Sequence, residues 1–125
     1  MKSRDVALKA KRFEVSEKSR KADDLLSMIR DFEIMAGDLE RQIAAEEDRT
    51  GVKDPLHFSY STFAKAAALR RDKLLVSVVD LKAQLDTAVA AHDLAREGLA
   101  ALEADEARDG GRQSNKIERN GVAYG

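Results

Sequence analysis

His57 and His92 are the only histidines in a chain of 125 residues that has no cysteine. A metal centre on either would need further thiolate, imidazole or carboxylate ligands converging on it. The patterning described below sets His92 beside Lys18, and no ligand set gathers there. The run Glu46-Glu47-Asp48 could hold a hard cation, but it lacks the oxygen-ligand spacing of a calcium loop, so it reads as a solvated helix end. No Gly-rich phosphate loop, nucleophile elbow or zincin motif is present. The expectation is a non-enzymatic protein with no catalytic residue, cofactor or metal.

Two other groups of residues suggest binding. Lys9, Lys11, Arg12 and Lys18 make the N-terminal third basic, and cations at such spacing could follow phosphates. Phe13 is the only ring among them that could stack on a base, and the net charge of −1 supplies no general attraction to a polyanion. Nucleic acid is therefore not the expected partner; these cations are expected to meet acidic residues of a second helix. The second group lies in TGVKDPLHFSYSTF, residues 50–63, which holds the only proline and gathers Phe58, Tyr60 and Phe63 in a chain only 5% aromatic. Rings exposed at the centre of an interface are common anchors. Tyr60 should pack inward, with Phe58 and Phe63 touching a partner. The competing reading has all three rings plugging the end of the fold over Leu56 and Val52. Ile34, Val76 and Val79 fall on outer positions and offer a weaker second contact.

The elements that carry these groups follow from periodicity. Leu8, Val15, Ala22, Ile29, Ala36 and Ile43 recur at heptad spacing, and Lys11, Lys18, Leu25, Phe32, Leu39 and Glu46 each follow three residues later. A second run places Tyr60, Ala67, Leu74, Leu81, Ala88, Ala95 and Leu102 in one row and Ala64, Arg71, Val78, Leu85, His92 and Leu99 in the other. Sustained a/d rows in a chain 36% charged indicate coiled coil. Thr50-Gly51 should close helix one. Asp54-Pro55, then Ser59 or Ser61, offer caps for helix two. Each helix starts basic and ends acidic, so folding back sets unlike charges side by side, whereas parallel copies would oppose like charges. The expected fold is all-α, an antiparallel two-helix coiled-coil hairpin over 1–107. Helix one covers about 3–48, the turn about 49–58 and helix two about 59–106; residues 108–125 form a flexible tail. The preferred register puts the apex at Pro55 and faces Ile43 with Ala67, Leu25 with Leu85 and Leu8 with Leu102. A second register, with its apex at Gly51-Val52, competes with it. No window reaches the run of about 20 apolar residues that a membrane span needs, and the N-terminus lacks a signal-peptide pattern. A cytoplasmic protein without direct membrane insertion is expected.

The opening MKSRDVALKAKRFEVSEKSRK and the middle RQIAAEEDRTGVKDPLHFSYSTFAKAAALRRDKLL resemble the flagellar export protein FliJ family of alphaproteobacteria. The non-heptad stretches LKAKRFEV and GVKDPLHFSYSTFAKAA carry the likeness, which covers about the first hundred residues and fades in the tail. The resemblance implies an antiparallel coiled-coil stalk of the flagellar type III export apparatus, peripheral at the basal body on the inner membrane. It implies insertion into the hexameric ring of the export ATPase FliI, and binding to the export gate protein FlhA and to export chaperones. On that pattern Lys9, Lys11, Arg12 and Lys18 would face the ATPase, and Phe58, Tyr60, Phe63, Val76 and Val79 the gate. The alternative is a generic coiled-coil scaffold or substrate chaperone with no ATPase partner.

Overall fold

A computed structural model describes the backbone of residues 3–124 and the side chains of residues 3–110. It contains two α-helices, α1 (Ser3–Thr50) and α2 (Thr62–Tyr124), packed against each other as an antiparallel hairpin. Helix-favouring Ala, Leu, Glu, Lys and Arg fill α1, which has no proline and a single internal glycine. Ion pairs one turn apart, Glu17 with Arg20 and Asp38 with Arg41, lie along its exposed faces. The expected tail begins inside α2, whose backbone is helical to Tyr124. Side chains after Gly110 lie outside the described residues, and with them the expectation of a flexible segment.

The chain divides into two units, Ala22–Thr87 and the pair Met1–Lys21 with Ala88–Gly125. In the first, which contains the turn, Leu25, Ile29, Ala36 and Ile43 of α1 are buried together with Ala64, Ala67, Val78 and Leu81 of α2. Ile43 packs against Ala64 and Ala67, with Leu39, Tyr60 and Ala68 around them. A large side chain opposite two alanines fills the seam without strain. Ile43 thus lies among both Ala67, its partner in the register with its apex at Pro55, and Tyr60, its partner in the competing one.

In the second unit Leu8, Ala88 and Ala95 are buried, but the same rows also carry Lys11, Lys18 and His92, all half-buried. Lys11 shows how a charged residue is accommodated there. The end of its side chain lies in the notch left by Gly98, where an added Cβ would come within 2.6 Å of Lys11 Cε and 3.1 Å of Nζ. Its ammonium pairs with Glu14 at 3.0 Å, so the charge on the seam is partnered and partly solvated. Arg4 pairs with Asp109 across the helices, and Arg12 lies 3.8 Å from Glu103. Of Lys9, Lys11, Arg12 and Lys18, only Arg12 meets an acidic residue of α2 as expected; Lys11 pairs within α1, and Arg4 makes the other contact between the helices. No helix among the described residues is long and apolar enough to cross a membrane.

Gly98→Ala is expected to stabilise the chain by up to about 1 kcal/mol through helix propensity. The atom in the way is the free end of a flexible side chain, so Lys11 swings aside; a fall in the denaturation midpoint would show that the notch matters more. Native-state amide exchange should be faster in residues 3–21 than in residues 25–43, because the seam layers of the former contain lysine.

Candidate interaction site

The turn is built by local hydrogen bonds. Gly51, at φ 74°, ends α1 in the left-handed region, and its N–H donates to the Glu47 carbonyl at 2.9 Å. Only glycine takes that conformation freely. Pro55 then occupies the second position of a turn in which the His57 N–H donates to the Asp54 carbonyl at 3.0 Å. The Asp54 carboxylate accepts the Leu56 N–H at 3.0 Å. A second turn follows directly, with the Tyr60 N–H donating to the His57 carbonyl. Asp54-Pro55 therefore caps a turn rather than a helix, and residues 57–60 are used before α2 begins. The helix cap is Ser61, whose hydroxyl accepts the Ala64 N–H at 3.2 Å. These two turns delay α2 to Thr62, three residues past its expected start.

Such a turn presents its side chains outward. Phe58 is 94% exposed and stacks on His57 with ring centroids 4.7 Å apart. Leu56 is 93% exposed, so it does not lie beneath the rings as the plug reading required. Its backbone is fixed by Asp54, and no seam residue lies under that position. Val52 is half-buried. Phe63 is 56% exposed on the first turn of α2. Tyr60 alone packs inward, against the Ile43 cluster. His57 has a structural part, its Nδ1 accepting the Ser59 N–H at 3.0 Å. Val76 and Val79 are 70% and 71% exposed, farther along α2.

Glu46 and Glu47 are not the solvated helix end that the sequence suggested. The Tyr60 hydroxyl donates to Glu47 Oε2 at 2.8 Å, and the Ser61 hydroxyl donates to Glu46 Oε1 at 2.9 Å. The last turn of α1 is thereby latched to the start of α2. Carboxylates are poorly placed at a helix C-terminus, but here they lie beside the N-terminus of the next helix, which favours negative charge. Asp48 stays exposed, 3.6 Å from Lys53. The signal for the latch was present in the sequence: Glu46 occupies a seam position where an apolar residue is usual.

The basic residues are distributed differently. Lys9 and Arg12 are exposed, whereas Lys11 and Lys18 are half-buried on the seam. Arg12 and Lys11 face carboxylates already described; Lys9 and Lys18 have no ion pair among the described residues. His92 is half-buried, with Nδ1 3.4 Å from Asp93 Oδ1, and no group of three or more metal-ligating side chains occurs among the described residues. Compared with known proteins, the chain matches no protein-family model, no curated protein and no solved structure.

Glu46 and Tyr60 are shifted in opposite directions, for Glu46 more by Arg49 of its own helix than by the latch to Ser61. Hydrogen bonds from Arg49 first and Ser61 second hold the Glu46 carboxyl below its ordinary 4.5. A depressed acid stabilises the fold above that pH, and its contribution disappears as pH falls through the folded value. The hydrogen bond to Glu47, with burial second, pushes the Tyr60 phenol above its ordinary 10.0. Here the contribution is complete below pH 10 and is lost as pH rises through the raised value. Denaturation midpoints measured across pH should fall on both sides, Glu46→Gln flattening the acid limb and Tyr60→Phe the alkaline one. Unchanged limbs in both variants would remove the latch from the stability of the hairpin.

Proposed function

We propose that this chain is a non-enzymatic stalk and adaptor of a type III protein export ATPase, joining the ATPase ring to the export gate during flagellum assembly. The observation that carries the reading is an antiparallel helical hairpin that holds Phe58 almost wholly in water at its turn. Folding alone does not account for that ring, since it touches no seam residue and its local contact is with His57. An aromatic side chain on a turn held by four hydrogen bonds within residues 54–60 is a pre-organised anchor, and ordering it on binding costs little entropy.

The likeness of LKAKRFEV and GVKDPLHFSYSTFAKAA to the FliJ family supplies the partners in this reading. The FliI hexamer takes the unit carrying Lys9, Lys11, Arg12 and Lys18. FlhA takes Phe58 and Phe63, with Tyr60 holding the turn and Val76 and Val79 extending the contact. Export chaperones are further partners, and the place of work is the cytoplasmic face of the basal body. Among the four cations, Lys9 and Arg12 are the better contacts, because Lys11 and Lys18 are partly engaged in the seam.

Phe58→Ala combined with Phe63→Ala should weaken binding to the gate protein at least about tenfold, in the range of an interface anchor. Both rings are exposed, so the melting curve should stay unchanged, and so should stimulation of the ATPase. Lys9→Glu with Arg12→Glu should show the reverse pattern. Purified chain that fails to stimulate the ATPase, yet captures unfolded flagellar subunits, would favour a substrate chaperone instead.

A further inference from the structure

A groove in the unit Ala22–Thr87 plays no part in the contacts proposed above. It opens between α1 and α2 with a volume of about 490 Å³, and Phe32, Met35, Leu39 and Leu74 are the apolar residues of its lining. Phe32, Leu39 and Leu74 belong to the heptad rows, yet they are only half-buried and also line the groove. Met35 is 48% exposed. Its unbranched thioether can adjust to the outline of a guest. Long side chains lining a shallow cleft between two helices suit the apolar stripe of a third.

Charge selects which helix fits. Three charged residues line the groove: Asp38, Arg70 and Lys73. Asp38 is paired with Arg41, one turn along α1. Arg70 and Lys73 stand one turn apart on α2, both exposed, and neither has an ion pair among the described residues. The α2 margin is therefore uncompensated positive charge beside an apolar lining. Such a margin attracts carboxylates and opposes a basic helix.

We propose that this groove docks an acidic amphipathic helix of a partner protein. Its apolar stripe lies on Phe32, Met35, Leu39 and Leu74, and its carboxylates meet Arg70 and Lys73. The assignment does not rest on the export reading, and neither the ATPase nor the gate enters its test.

The test uses the full chain and two short synthetic helices with the same leucine stripe. One carries glutamates on its other faces, and its twin carries lysines there. Fluorescence anisotropy should give saturable binding of the acidic peptide, tighter than that of the twin by about tenfold or more. Affinity should fall between about 50 and 300 mM salt, where screening shortens to a few ångströms. Arg70→Glu with Lys73→Glu, on the exposed margin, should reverse the preference between the peptides while leaving the helical circular dichroism unchanged. The chain has three methionines, so a methyl-labelled sample should show the Met35 resonance moving on titration with the acidic peptide. Equal affinity for both peptides, no saturable binding of the acidic one, or a reversal variant with wild-type preference would overturn the assignment. So would sedimentation showing a dimer that the reversal variant loses, because the occupant would then be a second copy.

Discussion

Everything in this molecule depends on the burial of the apolar rows of α1 against those of α2. A two-helix hairpin has no second layer to share that task, so every described tertiary contact lies at or beside a single seam. The buried side chains are modest, and five of the eleven are alanine. Close approach of the two backbones replaces bulk. Ile43 between Ala64 and Ala67 shows the arrangement: a branched side chain enters a space that two small residues leave open. Dispersion falls off quickly with distance, so such a seam tolerates little slippage. The register must therefore be fixed elsewhere, and the latch at the turn is well placed to fix it. Glu46 and Glu47 accept from Ser61 and Tyr60 at bonding distance, and a shift of one residue would break both contacts.

Electrostatics has a secondary part. Ion pairs such as Arg12 with Glu103 are exposed and loose, and pairs of that kind contribute at most about 1 kcal/mol. Their arrangement matters more than their strength. Cations early in α1 beside acids late in α2 fit the antiparallel alignment, and a parallel pairing would set like charges together. Where charge enters the seam it is handled by geometry. Lys11 turns the flexible end of its side chain into the space beside Gly98 and pairs with Glu14, so the layer holds no unpaired charge.

The seam was legible in the sequence to an unusual degree. Each heptad position from Leu8 to Leu102 is buried or half-buried, including the awkward Lys11, Lys18, Arg71 and His92. The reason is that coiled-coil packing depends on one period and little else. The turn was less legible, because its course follows side-chain acceptors. Asp54 and His57 each take a backbone N–H and divert the chain into two successive turns, which delays α2 to Thr62. Leu56 was misplaced for the same cause. Glu46 and Glu47 were read as solvent-facing since charge density at a helix end normally means that. The seam position of Glu46 hinted at another part, but the meeting with Ser61 and Tyr60 is what names it. The groove beside Phe32 and Leu74 was not visible at all, as it lies on the flank of the rows rather than in them.

A fold with one seam leaves most of its surface outside any folding requirement, and that bears on what the outer residues are for. Scattered exposed apolar side chains are ordinary, so Val76 or Ile34 taken singly says little. Phe58 and Leu56 differ, since both sit on a turn where polar residues would satisfy the backbone equally well. Asp54, Pro55, Gly51 and Ser61 already provide the conformation. Replacing Phe58 and Leu56 by polar residues would remove no seam contact and no hydrogen bond of the turn. Their apolar character thus does nothing for the hairpin itself, while two large apolar groups kept in water lower solubility. Their apolar character is therefore outside what folding requires, and it is the feature on which the proposed gate contact rests.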